Sequence, residues 1–156
     1  MAWADADPMN KNTIVMESSV DNELSIVIVE EPSLSRNVLV KALGAWGYAS
    51  AVAENEESAW KAVRATRAPV LVLADWHADF MGCDEFFWKV RNAQATRSAY
   101  LMGAIPRGAV GGIRQCIASG ADDYVYRPYD LDEVRVRLHL AAKAMGLTTI
   151  GPLFPD

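Results

Sequence analysis

Two rhythms of apolar and polar positions alternate along this chain. Short runs dense in apolar residues recur at positions 24–29, 48–53, 70–74, 99–104 and 123–126. Such runs have strand length, and the one at 70–74, Val70-Leu71-Val72-Leu73-Ala74, is the signature of a strand buried on both faces. Between them, apolar residues return at three- and four-residue steps, which predicts helices. In the first helix, introduced by Pro32-Ser33, the residues sharing one face are Leu34, Val38, Leu39, Ala42, Leu43 and Trp46. The second spans 54–67 with Ala59, Ala62, Val63 and Thr66 inward. The third, 84–95, carries three adjacent aromatics, Phe86, Phe87 and Trp88, of which two can face a core. The fourth, 106–119, is weakened at its start by Gly108, Gly111 and Gly112, at roughly 1 kcal/mol each. The last opens at the capping box Asp130-Leu131-Asp132-Glu133 and ends at Gly146, with Leu131, Val134, Leu138, Ala141 and Met145 inward. Strand and helix alternate five times. That order predicts an α/β fold, a doubly wound five-stranded parallel sheet with five helices on its two faces.

Composition narrows the function classes. The formal net charge is −5, but residues 1–23 hold five acids against Lys11, leaving 15 acids and 14 bases for the remainder. A nearly neutral folded part with an acidic leader argues against nucleic-acid binding. No apolar run approaches the ~18 residues of a membrane span, and no signal-peptide pattern opens the chain. Cys83 and Cys116 lack metal-ligand spacing and are expected as free thiols in a reducing cytoplasm. The expected organisation is a mobile acidic tail over 1–23, a domain over 24–146 and a short tail over 147–156. Within the first tail, Thr13-Ile14-Val15-Met16 is an apolar patch able to add a strand or dock on a partner.

Candidate chemistry gathers at strand ends. Asp75 closes the third run, and Glu30-Glu31 close the first. In a doubly wound sheet those ends are neighbours at the switch point, so three carboxylates converge where ligands bind. Carboxylate oxygens completed by water are what Mg²⁺ accepts. The plainer alternatives are an Asp capping a turn and a pair of solvated loop acids.

With these landmarks in order the chain resembles a response-regulator receiver domain of the CheY-like phosphoacceptor family. The resemblance rests on Ile26-Val27-Ile28-Val29-Glu30-Glu31, on Val70-Leu71-Val72-Leu73-Ala74-Asp75-Trp76 and on Gly120-Ala121-Asp122-Asp123-Tyr124-Val125-Tyr126-Arg127-Pro128-Tyr129. It implies that Asp75 is the phosphoacceptor. It places Glu31, Asp75 and the backbone carbonyl of His77 on the Mg²⁺ ligands, with Glu30 acting through water. Tyr124 falls on the aromatic switch residue, and Arg127-Pro128 on a Lys-Pro pair whose peptide bond is usually cis.

Four departures from the family pattern stand out. The acidic pair is Glu twice, where the family normally includes Asp, and the extra methylenes move both carboxylates outward. Gly103 stands at the Ser/Thr position that hydrogen-bonds the phosphoryl oxygen, and residues 99–118 contain no Ser or Thr. Arg127 replaces the phosphate-binding Lys, a planar fork in place of a compact ammonium, and is able to pair with Asp75 or Glu31 and hold the site shut. The loop after Asp75 reads Ala78-Asp79 where Met-Pro is usual.

Two functions follow from the resemblance. One is a receiver that takes phosphate on Asp75 from a histidine kinase or phosphotransfer protein and signals to a downstream protein effector. Its output is expected elsewhere, since the residues after Gly146 are too few for an effector domain. The alternative is a phosphorylation-independent pseudo-receiver that acts as a protein-binding module. Either is a cytoplasmic signalling protein rather than a metabolic enzyme, and Val136 with Leu140 would suit a homodimer through the fourth and fifth helices. A dehalogenase-like phosphatase would need a second Asp two residues after Asp75, where His77 stands. A phosphate-loop reading fails for want of Gly-Lys-Ser/Thr.

Overall fold

The structure, a computed structural model, describes residues 13–16, 23–76, 83–147 and 153–154. Five strands, β2 (Ser25–Val29), β3 (Ala49–Ala53), β4 (Val70–Asp75), β5 (Tyr100–Pro106) and β6 (Asp123–Arg127), run parallel. Five helices connect or follow them: α1 (Leu34–Ala45), α2 (Glu56–Ala65), α3 (Cys83–Asn92), α4 (Gly112–Ala118) and α5 (Leu131–Ala144). The sheet order, with β1 (Thr13–Met16) included, is β1-β3-β2-β4-β5-β6. From β2 the chain steps outward to β3, then returns to β2's other side for β4. That reversal is the switch point, and the ends of β2 and β4 meet there.

One edge differs from the expected five-stranded sheet. The patch inside the anticipated N-terminal tail forms β1, antiparallel to β3, with Thr13 opposite Ala53 and Met16 opposite Ser50. An open β3 edge would present a row of unpaired amides and carbonyls, and a short β-branched segment answers them.

Two apolar layers hold the helices. One face of the sheet (Val27, Val72, Ala74, Leu101, Ile105) packs on Ala59 and Val63 of α2, Phe86, Phe87 and Val90 of α3, and Cys116 of α4. The other (Ile26, Ile28, Leu71, Leu73, Met102, Val125) packs on Leu39 and Leu43 of α1 and Val134, Leu138 and Ala141 of α5. Phe86 and Phe87 are wholly buried while Trp88 is 65% exposed, the division expected of three adjacent aromatics on one helix. The inward face of α1 needs a correction. Leu34 and Val38 lie exposed, and Arg36 is buried in their stead. The cause is polar. Arg36 Nη1 donates to the Glu30 carbonyl at 3.1 Å and sits 3.5 Å from the Glu54 carboxylate, so the helix turns that position toward β2.

Helix starts follow their caps. Ser33 accepts the Arg36 amide, Asn55 accepts the Ser58 amide and Asp130 accepts those of Asp132 and Glu133. Among the helices whose starts are described, α4 alone begins without a side-chain cap, at Gly111 with φ 75°, and it has seven residues. The glycines shorten it, as their helix propensities predict. Among the described residues no helix is long and apolar enough to cross a membrane.

Candidate functional site

Three strand ends build one pocket. Asp75 is the last residue of β4, Glu30 follows β2 and Arg127 ends β6. Glu30 is 1% exposed and Asp75 6% exposed. Arg127 lies between them: Nη1 is 2.7 Å from Asp75 Oδ1, and Nη2 pairs with Glu30 Oε1. A guanidinium presents its donors in a planar fork, which lets one side chain serve two carboxylates at once. Its backbone carbonyl accepts from the Arg107 amide, and the Arg127-Pro128 peptide is cis.

Glu30 is held from several sides. The Tyr129 hydroxyl donates to Oε2 at 3.2 Å, and the Ser33 hydroxyl approaches Oε1 at 3.5 Å. The Glu30 amide donates to the Ala53 carbonyl, and Arg36 takes the Glu30 carbonyl. Arg127 also lies over the Tyr129 ring, 5.3 Å from its centroid. Burial pushes the Glu30 carboxyl above its usual range; Arg127 opposes this and the neighbouring Asp75 charge adds to it. Burial works against the Arg127 charge, but the hydrogen bond to Asp75 and the Glu30 charge outweigh it and raise its pKa. Tyr129 is raised well above the ordinary phenol value by burial and by the Glu30 charge, so it remains a neutral donor.

Beside this pocket, Gly103 faces Cys116. A Cβ added at Gly103 would fall inside the van der Waals envelope of the Cys116 sulfur and lie 3.7 Å from Trp76 Cε3. Burial pushes the Cys116 thiol up to about 12. Tyr124 is paired in register with Gly103 and half-buried, with its ring edge-on to Tyr126 at 5.5 Å.

No protein-family model matches the sequence. The probable transcriptional regulatory protein TcrX of Mycobacterium tuberculosis is 31% identical over 125 residues, 80% of this chain and 52% of TcrX. The phosphate regulon transcriptional regulatory protein PhoB of Pseudomonas aeruginosa is 28% identical over 122 residues, 78% of this chain and 53% of PhoB. The chain thus spans about half the length of the curated relatives it matches. Among solved structures, the receiver domain of the sensor histidine kinase PA1611 from P. aeruginosa superposes with a TM-score of 0.66 at 17% identity. That match covers 78% of this chain and 97% of the other, which has a magnesium ion coordinated in its active-site cleft. This chain contains a CheY-like response-regulator receiver domain.

The receiver brings together only some of the residues singled out from sequence. Glu30, Asp75 and Arg127 converge, and Arg127 holds the site as a cation bridge, to Glu30 and not to Glu31. Glu31 is exposed, while Glu30 beside it is buried. The His77 carbonyl and the Ala78-Asp79 loop lie outside the described residues. Among the described residues no group of three or more His, Cys, Asp or Glu side chains is placed to hold a metal ion. Among the described residues the arrangement does not fit Mg²⁺. An ion needs oxygen ligands at about 2.0–2.1 Å, and the space between Asp75 and Glu30 holds guanidinium nitrogens.

Sequence reasoning missed three contributors to this receiver's pocket. Tyr129 was visible as the residue after Arg127-Pro128, but only its hydroxyl's reach to Glu30 gives it a part. Arg36 lies off the apolar face read for α1, and only its reach to the Glu30 carbonyl gives it a part. Cys116, which belongs to none of the three landmark motifs, fills the space that a side chain at 103 would need.

Proposed function

We propose that this receiver works as a phosphorylation-independent protein-interaction module, its pocket held by the Arg127 bridge instead of a divalent cation. The observation that carries the reading is that one guanidinium serves both buried carboxylates, Asp75 and Glu30. The filled space at Gly103 supports it. In receivers that switch, a hydroxyl at that position and an aromatic beside it move together on phosphorylation. Here there is no hydroxyl at 103, and Cys116 and Trp76 already occupy the surroundings. The face presented by α4, β6 and α5 is then constitutive. It carries Ile117, Tyr124, Tyr126 and Leu140, an aromatic and aliphatic set suited to a protein partner. Partners of this class would be a histidine kinase or an effector protein in the cytoplasm, with a homodimer through α4 and α5 as a further arrangement.

A second reading has one observation in its favour. Asp75 stands with its carboxylate at the end of the central strand, where the family's phosphoacceptor stands, and a cation contacts its oxygen. On that reading a phosphoryl donor displaces Arg127 from Asp75, and Arg127 then pairs with the phosphoryl oxygens.

The test is an intact-mass measurement after incubation with acetyl phosphate and Mg²⁺, on the wild type and Asp75→Asn. Unmodified wild type, folded by circular dichroism, is the expected result. A single phosphoryl adduct that Asp75→Asn abolishes would overturn the module reading and establish the phosphoacceptor.

A further inference from the structure

We infer that Arg127 and Tyr129 together form a built-in substitute for a divalent cation, with Tyr129 as the residue that keeps the pocket closed to metal. This rests on the reading of the pocket as held shut and deepens it by naming what does the holding.

The argument starts from Glu30. To ligate an ion it must swing a carboxylate oxygen toward Asp75, and each of its oxygens is already engaged. Oε1 pairs with Arg127, and Oε2 accepts from the Tyr129 hydroxyl. Its backbone is fixed by the Ala53 and Arg36 contacts, so only side-chain rotation remains. Tyr129 blocks that rotation directly. It also lies against the Arg127 guanidinium, so the ring and the hydroxyl hold both members of the ion pair. A phenylalanine at 129 would keep the ring and lose the tie to Glu30. Tyr129 is therefore a positioning residue acting through Glu30, and the hydroxyl is its working part.

Charge supports the same conclusion. Asp75 and Glu30 are two negative charges in a buried site, which needs a compensating cation. A receiver that relies on Mg²⁺ takes that cation from solution. Here the chain supplies it from β6, and Tyr129 supplies the remaining donor.

The experiment measures Mn²⁺ binding, by the loss of the free-ion electron paramagnetic resonance signal, on the full chain. The variants are Tyr129→Phe, Arg127→Lys and Tyr129→Phe/Asp75→Asn, with Mg²⁺ as competitor. Tyr129→Phe should bind Mn²⁺ about tenfold more tightly than wild type, the effect of freeing one charge-assisted hydrogen bond. Mg²⁺ should compete, and adding Asp75→Asn should remove the gain. Arg127→Lys keeps a positive charge without the two-armed bridge and should also gain affinity. Equal Mn²⁺ affinities in wild type and Tyr129→Phe would overturn the inference, and so would a failure of both single variants to bind. These results are separate from the phosphorylation test. A wild-type phosphoryl adduct defeats the module reading, while equal Mn²⁺ affinities defeat only the substitute-cation inference.

Discussion

Replacing Arg127 by Leu tests the bridge most directly. The substitution removes the cation between Asp75 and Glu30, whose side chains are 8% and 2% exposed, while keeping an apolar stem of similar width. At 2.7 Å and an effective dielectric constant of ~20, a unit ion pair such as Arg127–Asp75 is worth about 6 kcal/mol before desolvation is subtracted. Measured losses on removing one partner of a buried pair are about 3–5 kcal/mol, because the survivor stays buried and uncompensated. The lower part of that range applies here, since Arg127 itself is 20% exposed. The loss should depend on pH. Without Arg127, the Glu30 carboxyl, already raised by burial, rises further. The fold then binds a proton that the unfolded chain releases, and stability increases as pH falls. The deficit should be largest near about pH 7 and shrink toward about pH 5 as that proton is taken up. The assay is urea unfolding followed by tryptophan fluorescence at both pH values, for wild type, Arg127→Leu, Asp75→Asn and the double variant. Asp75→Asn should be less damaging in the Arg127→Leu background than alone. A deficit under about 1 kcal/mol at neutral pH, or one independent of pH, would refute the bridge as a buried, mutually compensating unit.

Other consequences are open to similar tests. Gly103→Thr places a Cβ against the Cys116 sulfur and should destabilise by about 1–3 kcal/mol, with part recovered in Gly103→Thr/Cys116→Ala; thermal unfolding of the four proteins reads the coupling. Arg91 ties α3 to the sheet through the carbonyls of Arg97, Ala99 and Gly120 and the Asp122 carboxylate, at 2.8–2.9 Å. Arg91→Ala should therefore lower unfolding free energy by about 2–3 kcal/mol, measured by urea denaturation. With its thiol pushed up to about 12, Cys116 should resist alkylation in the native state at mildly alkaline pH and react only after unfolding, as peptide mapping would show.

Much of this architecture was legible in the one-dimensional pattern. The period of apolar residues is a local property, and it marked five parallel strands and five helices and a core place for two of the three adjacent aromatics on α3, which the structure shows to be Phe86 and Phe87. It also put Asp75 and Glu30 at the ends of adjacent strands, since the βα alternation permits few strand orders. What only the tertiary structure decided are pairings between distant positions. Tyr129 and Glu30 lie 99 residues apart, and nothing local marks a phenol for a carboxylate. That Glu30 is buried while Glu31 is exposed goes with the partners Arg127, Tyr129 and Ser33 that the fold brings to Glu30. Arg36 is buried because Glu54 and the Glu30 carbonyl wait beneath α1, not because of its own periodicity. Gly103 reads in isolation as a lost hydroxyl, and only packing shows that the Cys116 sulfur fills the space instead. The edge strand β1 likewise depends on an open β3 edge that becomes visible once the sheet is assembled. Periodicity selects elements. Contacts between them, made at particular distances in a low-dielectric interior, decided which charges face each other and thereby the character of the pocket.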